Sequence, residues 1–233
     1  MAKQITIIGT GYVGLTTGAC LASLGHQVVC VDINVEKIAE LKSGICPIYE
    51  KGLPELLAKG LETEKLSFSD TADPKLLQNE FIFLCLPTPQ AEDGRAELAA
   101  IYEVAESLKS SLSSKAIVVN KSTVPVGTCK VISEIIGRED IDIVSNPEFL
   151  REGSAIEDFL NPDRIIIGAN AIEASDRVAE LYSNLESPII QVDCVSAETV
   201  KYATNSFLAM KVSFVNALAA VCEVVGADID SVA

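Results

Sequence analysis

The sequence predicts an α/β fold in which a doubly wound parallel sheet is followed by a long central α-helix. Short apolar segments rich in β-branched residues alternate with helical segments at least five times. This alternation is typical of a parallel sheet with helices on both faces. Residues 197–225 have an unbroken helical pattern of about eight turns, longer than an ordinary globular helix. A glycine-rich turn at residues 9–14 joins the first strand to the first helix.

The first strand, turn and helix form a unit suited to binding a dinucleotide. Residues 5–8 are apolar and β-branched, as expected of a buried parallel strand. In the G-x-G-x-x-G turn that follows, Gly9 permits a tight turn, Gly11 lets the backbone approach a pyrophosphate and Gly14 lets the helix pack on the strand. The helix, predicted for residues 12–24, directs its N-terminal N–H groups at the phosphates.

A second predicted strand, residues 27–31, ends in Asp32. A carboxylate at this place can accept hydrogen bonds from both ribose hydroxyls of NAD and would repel the extra phosphate of NADP. Because strand, helix, second strand and acid are all present, the pattern favours a Rossmann-like NAD site over a glycine-rich turn beside a surface Asp. The residues of this unit that we expect to contact NAD are Gly9, Gly11, Tyr12, Val13, Gly14 and Asp32.

The later elements are predicted from apolar periodicity and from turn residues. Asn34 is expected to cap a helix over residues 35–42. Lys37 in this helix could reach the adenosine side of NAD, or it could equally be a solvated lysine. Further strands are predicted at residues 66–69, 81–86, 116–120, 141–145, 165–168 and 189–192. One further helix is predicted to end at about residue 61, and three others to span residues 97–112, 129–136 and about 171–185.

Polar residues follow several predicted strands, at the edge of the sheet where ligands bind in such folds. Thr88 lies between two prolines after one of these strands, and we expect it to touch NAD. In the long helix, Lys201 and Asn205 are four residues apart and therefore on one face. From the residues alone, Glu148 could cap a turn and Lys201 could be a helix-surface charge.

Composition excludes some classes of partner. Acidic residues outnumber basic ones 33 to 18, giving a net charge of −15, which argues against nucleic acid or an anionic membrane as a partner. The seven cysteines are odd in number and lack a C-x-x-C spacing, which favours reduced, buried thiols in a cytoplasmic protein over disulfides or a metal site. His26 follows a glycine expected to end a helix, so we expect a capping or surface residue. We expect no signal peptide, and no apolar run as long as the roughly 18 residues of a membrane span.

Six segments of the chain are distinctive. They are GTGYVGL (9–15), PIYEKGL (47–53), CLPTP (85–89), KSTVPVGT (121–128), NPEFLREGSAIEDFLNPDRIIIG (146–168) and KYATNSFLAMKVSFVNALA (201–219). Together these segments resemble the UDP-glucose 6-dehydrogenase family of nucleotide-sugar dehydrogenases. The run NPEFLRE, residues 146–152, is the most specific part of the resemblance.

The resemblance implies a four-electron oxidation of a UDP-sugar, from UDP-glucose to UDP-glucuronate, with two NAD, one water and a thioester on a cysteine. By motif, Thr123 and Glu152 would hold or activate the catalytic water, and Glu148 would be the base in thioester hydrolysis. Lys201 and Asn205 would stabilise the oxyanion at C6. Besides the residues of the glycine-rich unit, NAD would meet Lys37, Thr88, Thr123 and Glu152, and the sugar would meet Phe149, Leu150, Arg151, Glu152, Lys201 and Asn205. Arg151 could equally be a structural cation.

The resemblance also implies a domain plan. Residues 1–194 would be the NAD-binding domain, and residues 195–233 would begin a central helical region that forms a homodimer. The family's nucleophilic cysteine and its UDP-binding domain have no counterpart in these residues, so we expect an N-terminal fragment that binds NAD without turnover. Three alternatives stay open: a sister enzyme acting on GDP-mannose or a UDP-N-acetylhexosamine, a non-catalytic NAD-binding module, and a single-step alcohol dehydrogenase.

Overall fold

A computed structural model of the chain describes residues 1–71, 73 and 75–233 and has two compact units, Met1–Glu198 and Thr199–Ala233. The predicted domain boundary lay at residues 194 and 195. The first unit contains one eight-stranded sheet. Its strands are β1 (Gln4–Ile8), β2 (Gln27–Val31), β3 (Leu66–Ser69), β4 (Phe81–Leu84), β5 (Ile117–Asn120), β6 (Asp142–Ser145), β7 (Ile165–Ala169) and β8 (Ile189–Val192).

Helices connect most of the strands. Two short 3₁₀ turns, Leu76–Gln78 and Glu180–Tyr182, lie between them. The α-helices are α1 (Tyr12–Ser23), α2 (Val35–Lys42), α3 (Leu53–Glu62), α4 (Ala99–Leu108), α5 (Thr128–Ile136), α6 (Ala155–Leu160), α7 (Ile172–Ala179), α8 (Cys194–Val225) and α9 (Ile229–Val232).

The strand order is β3-β2-β1-β4-β5-β6-β7-β8. From β1, the next two strands are added on one side and β4 to β8 on the other, so the strand order reverses between the neighbours β1 and β4. This confirms the doubly wound α/β class, in which ligands bind at the carboxyl ends of the strands beside such a reversal. The sheet is parallel as predicted except at one place, where β7 pairs antiparallel with β6. An antiparallel neighbour needs no crossover. The segment between β6 and β7 therefore begins and ends at the carboxyl edge of β6.

The core lies on both faces of the sheet. In β4, Phe81 and Phe83 join one apolar cluster and Ile82 and Leu84 join the other. All four side chains are fully buried, which explains why this strand has a continuous apolar run and no alternation. Helices α1, α2, α3, α6 and α7 cover the first face, and α4 and α5 cover the second.

Several local predictions need correction. The helix expected at about 171–185 is the shorter α7 followed by a 3₁₀ turn. The two-turn helix α6 was missed, because six residues are too few to show a helical period. His26 is buried and is not a surface residue. It caps the end of α1 through its backbone, since its N–H donates to the carbonyl of Leu21 at 3.2 Å. Its Nδ1 accepts a hydrogen bond from the N–H of Lys3, and its Nε2 lies 2.9 Å from the carbonyl of Leu181. Burial lowers the pKa of His26.

Helix α8 is 32 residues long and continues into the second unit, Thr199–Ala233. Much of its apolar surface is exposed. The exposed large side chains include Phe207, Leu208, Met210, Val212 and Phe214. By length and composition this helix could cross a membrane, so the expectation that no apolar stretch reaches that length is wrong. A helix that packs against another protein surface can have the same properties.

Candidate active site

A cleft of about 900 Å³ opens at the carboxyl edge of the sheet. The turn after β1, the end of β2, the loops after β4 and β5, and one face of α4 line it. The structure brings eight of the ten predicted cofactor residues to this cleft. They are Gly9, Gly11, Tyr12, Val13, Asp32, Lys37, Thr88 and Thr123.

The glycine-rich turn packs tightly on one side and is open on the other. Gly9 has a φ of +99°, and a Cβ there would lie 2.4 Å from the carbonyl oxygen of Cys85. A Cβ on Gly14 would lie 1.9 Å from the carbonyl oxygen of Gly9. A Cβ on Gly11 would meet no atom within 4 Å among the described residues. Gly11 is the N-cap of α1 and has no side chain to occupy the first N–H groups of that helix. This turn therefore fits a pyrophosphate on the open side.

Asp32 is held firmly at the end of β2. Its Oδ2 accepts hydrogen bonds from the N–H of Thr10 (2.8 Å), the hydroxyl of Thr10 (2.6 Å) and Nζ of Lys37 (2.8 Å). Its Oδ1 accepts one from the N–H of Asn34 at 3.0 Å. Burial would raise the pKa of Asp32, but the bonds from Lys37, Thr10 and Asn34 outweigh it and lower the pKa to about 2. A carboxylate oxygen can accept two hydrogen bonds, so the geometry leaves Oδ1 able to accept one from a ribose hydroxyl.

Lys37 forms an ion pair with Asp32, so of its two predicted environments the structure favours the one beside the cofactor site. The Lys37 side chain is 29 % exposed and that of Asp32 12 %. Asn34 caps α2 as predicted, accepting a hydrogen bond from the N–H of Lys37 at 2.9 Å.

The loops after β4 and β5 are joined by hydrogen bonds. The hydroxyl of Thr88 donates to the carbonyl of Thr123 at 2.8 Å. The N–H of Leu86 donates to the hydroxyl of Ser122, also at 2.8 Å. Thr88 and Thr123 therefore form one wall of the cleft.

The segment carrying the predicted catalytic carboxylates is not part of the cleft lining. One oxygen of Glu148 accepts a hydrogen bond from the N–H of Leu150 at 2.7 Å, which is the turn-capping role left open above. Arg151 pairs with Asp158, with Nη2 and Oδ1 2.6 Å apart, a contact that fits its alternative role as a structural cation. Glu152 is exposed.

The other predicted residues lie elsewhere. The guanidinium carbon of Arg164 lies 5.5 Å from the ring centre of Phe149. Gly14 packs beneath the turn and does not line the cleft. Lys201 and Asn205 are on α8, in the second unit.

Sequence reasoning missed two buried carboxylates. Glu50 is 3 % exposed and accepts hydrogen bonds from the hydroxyl of Tyr12 (2.5 Å) and the N–H groups of Gly153 (2.8 Å) and Ala155 (2.9 Å). Glu198 accepts hydrogen bonds from N–H groups at the start of α5, at residues 127 and 129. Sequence spacing gave no signal for either residue, because their hydrogen-bond partners are distant in the sequence.

Comparison with known proteins gives matches over nearly the whole chain. Residues 3–186 match the model described as UDP-glucose/GDP-mannose dehydrogenase family, NAD binding domain, and residues 195–233 match the central domain of that family. UDP-glucose 6-dehydrogenase TuaD of Bacillus subtilis (strain 168) is 44 % identical over 236 residues, covering 99 % of this chain and 51 % of the relative. UDP-glucose 6-dehydrogenase YwqF of the same organism is 46 % identical over 235 residues, covering 99 % and 53 %. The chain thus spans about half the length of the curated relatives it matches.

Solved structures also match. A ternary complex of GDP-mannose dehydrogenase from Pseudomonas aeruginosa has a TM-score of 0.93 at 34 % identity, covering 98 % of this chain and 55 % of that one. A UDP-glucose dehydrogenase from Pyrobaculum islandicum has a TM-score of 0.91 at 36 % identity, covering 100 % and 56 %. The fold of residues 3–186 is therefore that of the family's NAD-binding domain.

Proposed function

The chain belongs to the UDP-glucose/GDP-mannose dehydrogenase family, and on this basis we propose that it supports the NAD-dependent oxidation of UDP-glucose at C6 to the carboxylate of UDP-glucuronate. The observation that carries the proposal is the cleft at the β1–β4 reversal, with an open glycine turn at one side and the ionised Asp32 at the other. These two features fit the diphosphate and a ribose of NAD. The names of the curated relatives support UDP-glucose as the sugar nucleotide.

Bound NAD would accept the hydride lost from C6 in each of the two oxidation steps. In the proposal, the first N–H groups of α1 hold the diphosphate, and Thr88 and Thr123 hold the cofactor from the opposite wall. Thr123 and Glu152 position the water that enters the product, and Glu148 takes its proton. Lys201 and Asn205 donate hydrogen bonds to the oxygen on C6 as negative charge develops there.

A thioester step requires a thiolate, and we propose that none of the seven cysteines here supplies it. Cys85 is the cysteine that lines the cleft. It is buried, and burial raises the pKa of its thiol to about 12. At neutral pH this thiol is protonated and therefore a poor nucleophile. Cys20 is buried in the same way, and burial raises its pKa to about 12 also.

The test is the number of NADH formed per sugar nucleotide at completion, with the whole polypeptide that the gene encodes. We expect two NADH per UDP-glucose, because oxidation of an alcohol to a carboxylate releases four electrons. We expect the Cys85→Ser variant to give the same ratio. One NADH per sugar would indicate a single-step alcohol dehydrogenase. No NADH with any sugar would favour a non-catalytic NAD-binding module, and loss of activity in Cys85→Ser would contradict our exclusion of that thiol.

A sister activity on GDP-mannose is the second candidate, and the likeness to a solved GDP-mannose dehydrogenase favours it. The same assay distinguishes the two when UDP-glucose, GDP-mannose and UDP-N-acetylmannosamine are compared at equal concentration. We expect the highest kcat/KM with UDP-glucose. A higher value with GDP-mannose would replace our first candidate with the second.

We also propose that a second copy of the chain covers the exposed apolar side chains of α8. Light scattering should give twice the mass of one chain. Phe214→Asp, which places a charge on this surface, should shift the chain to monomer, since an unpaired charge is costly in an apolar interface. Ile172→Asp places the same charge on an exposed apolar position of the first unit and should leave the dimer intact. A wild-type chain that is strictly monomeric would contradict the proposal.

A further inference from the structure

The side chain of Glu50 is a buried carboxylate to which the proposed function gives no role. It lies in the loop between α2 and α3 and is 3 % exposed. Carboxylates are seldom buried to this degree unless their oxygens are satisfied by hydrogen bonds. Burial would raise the pKa of Glu50, but its three hydrogen bonds outweigh that effect and hold the pKa below its usual range. The group is therefore a charged acceptor on which three donors converge.

These three donors come from two different parts of the candidate site. Tyr12 is the first residue of α1, follows Gly11 directly and lines the cleft. The N–H groups of Gly153 and Ala155 lie just after the segment that carries Glu148 and Glu152. The hydroxyl of Tyr12 also lies 3.2 Å from the carbonyl of Arg151. Glu50 thus joins the cofactor-binding turn to the end of the segment 148–153.

A carboxylate suits this position better than an amide does. Oε2 of Glu50 accepts from both Tyr12 and Gly153, and Oε1 accepts from Ala155. A glutamine has one oxygen, and its NH₂ group would face at least one of the same donors. One N–H or O–H would then be left without its acceptor, and losing a hydrogen bond to a buried charge is costly.

We propose that Glu50 is a positioning residue that fixes the segment 148–153 to the cofactor-binding turn through Tyr12. This inference rests on the proposed function, since Glu148 and Glu152 are the groups being positioned. Loss of the link should leave the cofactor site intact, because Glu50 does not line the cleft. It should displace Glu152 from the reacting atoms, because Gly153 follows it directly.

The experiment compares Glu50→Gln and Tyr12→Phe with wild type, and uses Glu55→Gln as the matched control. Glu55 is an exposed carboxylate in the next helix. In the whole polypeptide, we expect Glu50→Gln to lower kcat about tenfold or more while the KM for NAD changes less than about threefold, which corresponds to one lost charge-assisted hydrogen bond. Tyr12→Phe removes only the hydroxyl and should lower kcat in the same way but less. The double variant should be no worse than Glu50→Gln, since both changes break the same link.

Hydrogen exchange on the 233-residue chain tests the link without turnover. Amides of residues 151–156 should exchange about tenfold faster in Glu50→Gln, and those of residues 13–23 should be unchanged.

A KM for NAD that rises as much as kcat falls would overturn the proposal, as would unchanged kcat in both variants. If wild type forms no NADH with any sugar, the proposed function fails, and the exchange rates alone then decide whether Glu50 holds the segment. If Glu50→Gln does not fold, unchanged kcat and unchanged exchange rates in Tyr12→Phe would overturn the proposed positioning role of Glu50.

Discussion

Gly14→Ala is expected to destabilise the first unit by about 3 kcal/mol or more, the upper part of the range for overpacked sites. The added methyl group would lie 1.9 Å from the carbonyl oxygen of Gly9 and 3.1 Å from Cβ of Cys85. Both atoms are on or next to backbone that the sheet holds in place, so neither can move without disturbing β1 or β4. The better helix propensity of alanine recovers only about 1 kcal/mol, which is less than the cost of the clash. Urea unfolding followed by circular dichroism measures the difference.

Gly11→Ala is the matched control for this change. It is the same substitution three residues earlier, in the same turn. Its methyl group would meet no atom within 4 Å among the described residues, and Gly11 has an ordinary φ of −69°. We expect its stability to remain within about 1 kcal/mol of wild type, although the methyl group would occupy the open side of the turn. Equal midpoints for wild type and Gly14→Ala would contradict the packing argument.

The part of the fold that local chemistry determines was predictable from the sequence. The bounds predicted for β2, α2 and β3 are those observed. Each of these elements has its own local signal, such as the capping Asn34 before α2 or the β-branched run of β2. The cofactor turn was also predictable, because a strand, three glycines, a helix and an acid occur within one short stretch.

Features that depend on distant partners were not predictable in this way. The antiparallel pairing of β7 with β6 is set by a connection that stays at one edge of the sheet. Glu50 and Gly153 are 103 residues apart in sequence, and Glu198 and Gly127 are 71 apart. Periodicity and spacing report on neighbours along the chain, so they contain no information on these pairs.

The structure also bears on alternatives that the residues left open. A solvated Lys37 and an Asp32-bound Lys37 have the same local sequence, and only the fold brings Nζ to 2.8 Å from the carboxylate. Likewise, only the fold shows that α6 places Asp158 beside Arg151 to form an ion pair. The side chain of Arg151 nevertheless remains largely exposed, as does Glu152.

Asp32→Asn is expected to weaken NADH binding by tenfold or more, which is about 1.4 kcal/mol. Asp32 keeps its charge above pH 4 because its pKa is about 2, and a hydrogen bond to a charged acceptor contributes about 1.5–3 kcal/mol. Fluorescence titration of NADH into the 233-residue chain measures the affinity.

The lowered pKa of Asp32 also adds to the stability of the folded chain. This contribution is present above the unfolded pKa of about 3.8 and is lost as the pH falls towards 2. Asp32→Asn should therefore cost up to about 2 kcal/mol at pH 7, with the loss fading in acid.

Asp70→Asn is the control that separates a specific contact from general electrostatics. Asp70 also lines the cleft, so its substitution removes the same charge from the same place. NADH is an anion, and removal of a negative charge should by itself tighten its binding slightly. We therefore expect the two variants to differ in sign, with Asp70→Asn binding NADH as well as wild type or better. If Asp32→Asn also bound as tightly as wild type, its carboxylate would have only the structural role of holding Thr10, Asn34 and Lys37. The cofactor's ribose would then have to be held by another residue of the cleft.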